Sequence, residues 1–474
     1  MTPFADLVLP AIRWDAQHGF ETAQPMIDRA LAHGVGGFII FGGEKVAVST
    51  LTQRLRAASK RPLLIAADLE RGAGQQVSGL TSLPPLLALA GLGEAVVREA
   101  ARITALEARD VGINWALAPV CDLDIEPENP IVQTRSFGAD SDSVGHFAAV
   151  WVEACQASGV LACAKHFPGH GRTTTDSHSE LPVVDASRQM LERDLLPFRR
   201  AVAAGVAGVM TAHVAYPALD PTRAPATHSR AILQDVLRGD LFFNGLTVTD
   251  ALIMEGARHG ASEGEGAVRA LLSSCDLLLY PHDLDGVLAA LAEAGKGQGG
   301  EFRDVAARAA ARRERALSQA APPRPLAAAD ASWHKSRGHQ IAIACLRWLR
   351  GGPPTRRRAV SVEIVDDDAG GPYALPPRST FAEELQQRGA ELRPRGDRLV
   401  LVFADVKSWK GRAGLSAASR ERLAGLLTEP STVILFGHPR RLEDIPGEHP
   451  VLCAWSGDEM MQRAAAKRFL QDGG

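Results

Sequence analysis

A chain of 474 residues, 46% hydrophobic and 23% charged, has the make-up of a globular protein long enough for one large domain and a smaller one. A formal net charge of −3 argues against nucleic acid or an anionic membrane as the main partner and leaves small neutral or mildly charged ligands open. Six scattered cysteines (Cys121, Cys155, Cys163, Cys275, Cys345, Cys453) form no CxxC pair, which fits reduced thiols buried as small hydrophobes. The opening "MTPFADLVLPAIRW" has no basic segment leading into a long apolar run, and apolar runs elsewhere are too short to span a bilayer, so a cytoplasmic location is expected.

Apolar runs of strand length recur along the chain: "LVLPAI" (7 to 12), "GGFIIFGG" (36 to 43), "PLLIAAD" (62 to 68), "INWALAPV" (113 to 120), "VLACAKHF" (160 to 167), "GVMTAHV" (208 to 214), "GLTVTD" (245 to 250) and "CDLLLYP" (275 to 281). Segments of helical periodicity separate them, among them "AVVREAARITALEARDVG", "MLERDLLPFRRAVAAGVAG" and "SEGEGAVRALLSSC". Continuous apolar strands between amphipathic helices predict a parallel sheet covered on its faces, and eight such units match a (β/α)8 TIM barrel. An open doubly wound sheet would place a glycine-rich phosphate loop after the first strand, and none follows "LVLPAI".

After residue 316, "ALSQAAPPRPLAAADASW" reads as a linker, followed by a helix near 334 to 350 and the loop "RGGPPTRRR", whose arginines read as a solvated run. Beyond it "AVSVEIVDD", "DRLVLVFADV", "STVILFGH" and "HPVLCAW" read as strands, with helices at "SAASRERLAGLLTE" and "DEMMQRAAAKRFL". The expected organisation is a barrel over 1 to 316, a linker over 317 to 333, and an α/β layered, sandwich-like domain over 334 to 474.

A barrel predicts reactive residues at the ends of its strands. The third strand runs into Asp68, Glu70 and Arg71; the fourth is followed by Asp122, Asp124 and Arg135; the fifth ends in Lys165 and His166; the sixth ends at His213 and the seventh at Asp250. The loop after the fifth strand, "AKHFPGHGRTTTDSHSELP", concentrates His166, His170 and His178 in thirteen residues of a chain with 14 histidines.

This loop resembles the family 3 glycoside hydrolases, specifically their β-N-acetylglucosaminidase (β-hexosaminidase) branch. The branch pattern K-H-F-P-G-H-G-x-T-x-x-D-S-H-x-x-L-P is met at every fixed position by "KHFPGHGRTTTDSHSELP", and the family's second marker appears as "TVTDALIMEGA". "AADLERGAGQQV", "QTRSFG" and "VMTAHVAYP" are weaker matches, and "STVILFGHPRRLEDIP" resembles the family's second domain.

The resemblance implies a retaining glycosidase that removes non-reducing terminal β-linked N-acetylglucosamine through a covalent glycosyl-Asp intermediate, without cofactor or metal. Asp250, on a rigid strand end, would be the nucleophile, His178 the acid/base and Asp176 its orienting partner. An imidazole titrating near neutrality can give a proton in one step and take one in the next. Asp68, Arg135, Lys165 and His166 would hold the sugar, with His213 and Met254 lining the pocket. The implied substrates are β-N-acetylglucosaminides, muropeptide-like ones included, in cell-wall fragment recycling.

Two positions depart from the family pattern: Arg71 stands where a glycine is usual, and Arg172 where an aspartate is frequent. They bear on the leaving-group side, with His170 and Arg172 facing solvent as the alternative. The rival readings are a β-glucosidase or a phosphorylase on the same site, a catalytically silent sugar-binding protein, and a metal-dependent barrel hydrolase using His166, His170, His178, His213 and Asp250. Against the last, "PAIRWD" offers only Asp15 after the first strand and no HExxH occurs.

Overall fold

The structure is a computed structural model and describes residues 1–175, 181–258, 260–297, 300–353, 359–371, 375–407 and 410–472. All eight strands read from the apolar runs are present. The first is two short pieces, β1 (Val8–Leu9) and β2 (Ala11–Arg13), separated at Pro10, which has no N–H to give to a ladder. β3 (Gly37–Phe41), β4 (Leu64–Ala67), β5 (Trp115–Ala116), β6 (Cys163–Phe167), β7 (Gly208–Thr211), β8 (Leu246–Thr249) and β9 (Leu278–Leu279) follow.

Every pairing between them is parallel. β1 pairs β9, β2 to β5 and β6 to β8 form continuous ladders, and single bridges at Trp115–Leu161 and Val248–Leu277 close the ring. The interior is packed by Leu9, Ile39, Leu64, Trp115, Met210 and Leu246, all buried, so the barrel is solid and its chemistry is confined to the ends of the strands. The expected helices lie at Glu94–Asp110, Arg188–Ala203 and Glu263–Leu272; the last carries a Ser262/Glu265 capping box. Ala231–Asp240 is a π-helix that no periodicity announced.

The chain leaves the barrel along the helix Glu301–Gln319, crosses 320–327 without regular structure, and enters the helix Ala328–Cys345. That helix ends five residues earlier than the apolar pattern suggests. Leu346 turns extended, and 347–350 become β10 (Arg347–Arg350), antiparallel to a strand near the C-terminus. β11 (Ala359–Asp366), β12 (Glu391–Leu392), β13 (Asp397–Ala404), β14 (Ser431–Gly437) and β15 (Val451–Cys453) complete a six-stranded sheet of order β10-β15-β14-β13-β11-β12. One face packs on the helices Ala328–Cys345, Thr380–Gln387 and Glu459–Asp472 through Phe381, Phe436 and Met461; the other packs on Ala417–Leu426 through Val400 and Leu423. The chain is thus a TIM barrel followed by a smaller layered α/β domain.

The C-terminal ends of the second sheet face the barrel mouth. His438, after β14, donates Nε2–H to Asp124 at 2.8 Å, and Arg440 donates to the same carboxylate at 2.9 Å. Asp405, after β13, and Asp458 flank Arg71 at 3.7 and 3.9 Å.

Candidate active site

The mouth gathers side chains from the ends of five strands. Lys165, within β6 and only 2% exposed, sets its Nζ 2.6 Å from Asp68 and 2.8 Å from Glu70, both of which follow β4. Arg135, on the turn Gln133–Arg135, closes a two-pronged pair on Glu70 with Nε at 2.9 Å and Nη2 at 2.8 Å. Burial alone would raise the Glu70 carboxyl, but Arg135 and then Lys165 hold it well below its usual range. Burial opposes the charge on Lys165 as well, yet Asp68 and Glu70 keep its ammonium protonated well above the usual lysine range. The Glu70 carboxylate therefore stands ionised between two cations, Lys165 and Arg135. Asp68, the most exposed carboxylate of the cluster, keeps 27% of its side chain at the mouth.

A second network fixes the histidine loop. Asp122, after β5 and fully buried, accepts from the His166 ring Nδ1 at 2.7 Å, the His166 backbone N–H at 3.1 Å and the His170 backbone N–H at 2.7 Å. Burial pushes Asp122 up, but His166 and His170 together outweigh it, and the carboxyl lies below its usual range. His170 is buried, bonded through Nδ1 to Thr173 Oγ1 at 2.7 Å, and burial pushes its imidazole down to about 4. Arg172 forks onto Asp194 at 2.6 and 3.1 Å. His170 is thus buried, while Arg172 keeps 20% of its side chain exposed and is tied to Asp194.

On the opposite side of the mouth Asp250 follows β8 and accepts the Ala251 N–H on Oδ1 at 2.7 Å. His213 is fully buried: Nδ1 meets Thr227 Oγ1 at 2.8 Å and Nε2 donates to the Ala251 carbonyl at 3.2 Å. Instead of lining an open pocket it anchors the turn that carries Asp250. Met254 is 4% exposed and its N–H closes that turn on the Ala251 carbonyl.

The structure thus brings Asp68, Arg135, Lys165, His166, His213, Asp250 and Met254 to one end of the barrel. Asp176 and His178 lie outside the described residues. Glu70 and Asp122 are essential parts of the arrangement that no role was read into from sequence; their only signal was their place just beyond strand ends. Among the described residues no three histidine, cysteine or acidic side chains converge as metal ligands: His166 turns to Asp122, His170 to Thr173 and His213 to Thr227. Nor is any helix among them long and apolar enough to cross a membrane.

A carboxylate on a strand end, across a barrel mouth from paired cations and carboxylates that can hold a polyhydroxylated ring, is the outline of a glycosidase. Comparison with known proteins agrees. Residues 16–311 match the glycosyl hydrolase family 3 N-terminal domain. A β-N-acetylglucosaminidase/β-glucosidase of Cellulomonas fimi is 37% identical over 262 residues, 53% of this chain and 46% of that one. A β-hexosaminidase of Nitrosomonas eutropha is 35% identical over 263 residues, again 53% of this chain, and 75% of that one. The solved family 3 β-N-acetylglucosaminidase of Paenibacillus sp. str. FPU-7 superposes with a TM-score of 0.83 at 28% identity, covering 99% of this chain and 96% of its own. A β-glucoside phosphorylase shares the fold at a TM-score of 0.84 and 21% identity, over 98% of this chain and 91% of its own. The chain belongs to glycosyl hydrolase family 3.

Proposed function

We propose that the protein removes non-reducing terminal N-acetylglucosamine from β-linked substrates by double displacement with retention. The observation that carries this reading is the placement of Asp250 at the end of β8, across the mouth from the Asp68–Lys165–Glu70–Arg135 cluster. The names of the relatives in Cellulomonas, Nitrosomonas and Paenibacillus support the acetamido sugar as substrate.

In the first step the Asp250 carboxylate attacks the anomeric carbon, the glycosidic C–O bond breaks, and His178 gives its proton to the departing oxygen. In the second, His178 takes a proton from water as that water attacks the anomeric carbon and releases Asp250. Asp68 accepts ring hydroxyl protons, Lys165 and Arg135 donate to ring oxygens, and His166, held by Asp122, presents a fixed imidazole. His213 and Met254 keep the Asp250 turn in register. Asp176 orients His178. The resemblance of the histidine loop further supports action on cell-wall fragments.

The test is hydrolysis of aryl β-N-acetylglucosaminide against aryl β-glucoside by the wild type, Asp250→Ala and His178→Ala, with EDTA present and with and without phosphate. The reading expects preference for the acetamido substrate, collapse in both variants, no effect of EDTA and no need for phosphate. Wild-type turnover by Asp250→Ala refutes the covalent step, and strict phosphate dependence makes the enzyme a phosphorylase.

A further inference from the structure

At the end of the barrel opposite the mouth, the loop joining the helix Lys45–Ala58 to β4 and the segment that leaves Glu301–Gln319 border an open cleft of about 440 Å3. Arg56, Lys60 and Arg61 line it together with Leu63, Leu317 and Pro322, and no carboxylate is among its lining residues.

The charges are out of balance. Arg61 is paired with Asp6 at 3.1 Å. Arg56 gives Nη2 to the Gly112 carbonyl at 2.6 Å, while its Nε is buried without an acceptor. Neither Arg56 nor Lys60 has a carboxylate partner among the described residues, and burial with no opposing charge pushes the Arg56 guanidinium below its usual range. Near it Arg313 is fully buried, donates to the Gly36 carbonyl at 3.0 Å and is ion-paired with Glu314. Of the three cations that line the cleft, only Arg61 has a carboxylate partner among the described residues. A half-buried cation without a counter-charge is an energetic debt that a bound anion settles.

The segment after Gln319 is tied down by hydrogen bonds. Arg109 donates Nη2 to the Pro322 carbonyl at 3.1 Å and Ala321 donates its N–H to the Gly159 carbonyl at 2.9 Å. The volume lies within the range of small-molecule sites, roughly 300 to 1,000 Å3.

We propose that this cleft binds a small phosphate monoester, with the phosphate on Arg56 and Lys60 and the carbon skeleton against Leu317 and Pro322. It is separate from the catalytic mouth and independent of the reaction assigned there. The competing account is that Arg56 and Lys60 merely complement the C-terminal dipole of the helix Lys45–Ala58.

Calorimetric titration and thermal melting of the full chain with glycerol 3-phosphate, orthophosphate and glycerol separate the two, using the wild type, Lys60→Gln and the double variant Arg56→Gln/Lys60→Gln. Glycerol 3-phosphate is expected to bind and raise Tm, orthophosphate to bind more weakly, and glycerol to do neither. Lys60→Gln should weaken the ester several-fold and the double variant at least tenfold, with aryl glycoside hydrolysis unchanged in both. Because Lys60 is exposed, its single variant keeps the test valid if the double variant is poorly folded. No binding at 10 mM, equal affinity in wild type and Lys60→Gln, or a Tm loss identical with and without the ester overturns the proposal.

Discussion

Asp122 offers the sharpest test of how the mouth is held. It is fully buried and its two oxygens accept three hydrogen bonds, one from the His166 ring and two from the backbone N–H groups of His166 and His170. In Asp122→Asn the side-chain oxygen can still serve the backbone, but the amide nitrogen then faces His166 Nδ1, and a donor confronts a donor. The imidazole must switch tautomer or turn away, losing a charge-assisted bond worth about 1.5 to 3 kcal/mol. At about 1.4 kcal/mol per decade this is a ten- to hundred-fold fall in kcat/KM for an aryl β-N-acetylglucosaminide. The assay pairs that rate with a melting curve, since the two backbone bonds survive and the fold should persist. A variant that keeps wild-type kcat/KM from pH 5 to 8 would show that the orientation of His166 is irrelevant to turnover.

Glu70→Gln removes the anion that Lys165 and Arg135 share and should lower kcat/KM by about a hundred-fold through misplacement of both cations, read in the same assay. Because the Glu70 and Asp122 carboxyls lie below their unfolded values, the stability they give is present above the ordinary carboxylate range. It should be lost as pH falls below about 4.3, which urea unfolding across pH 3 to 6 measures. His170 is depressed to about 4, so the unfolded chain binds its proton first; stability should fall from about pH 6.5 down to 4, by about 3 kcal/mol in total. His170→Gln should remove that slope, and an unchanged slope would refute the assignment. Asp124→Ala strands His438 and Arg440 in a buried seam and should cost about 3 kcal/mol in urea unfolding, with the loss suppressed in Asp124→Ala/His438→Ala/Arg440→Ala.

The barrel was legible because its signal is repetitive. Eight apolar runs each had to be a strand for any one to be buried, and β3, β4 and β6 to β8 each fall within one of those runs. The second domain was less legible at its margins. β10 and β12 are four and two residues long and mostly unburied, so neither carries a run of apolar residues, and Leu346 to Leu349 continue the apolar pattern of the helix before them. Strand pairing with β15, a contact about a hundred residues away, ends that helix. In the site, the residues that can meet a substrate were visible as charge at strand ends. The residues that hold them were not distinguishable from other acids, because Glu70 and Asp122 acquire meaning only through Arg135, Lys165 and His166, which lie far along the chain or on another strand.

Arg71 shows the same limit from the other direction. Read along the chain, an arginine in place of a glycine beside Glu70 looked like a change in what the mouth accepts. In the fold its guanidinium is turned to Asp405 and Asp458 of the second domain, and Asp124, after the next strand, is met by His438 and Arg440 from the same sheet edge. The two contacts fall on the loops after β4 and β5, the loops that carry Asp68, Glu70 and Asp122. A glycine at position 71 would leave Asp405 and Asp458 facing each other without that cation; burial already raises Asp458, and Asp405 lies low partly because Arg71 is there. The departure is therefore explained by docking, and the second domain, by gripping Arg71 and Asp124, helps set the position of the loops that hold Lys165, Arg135 and His166.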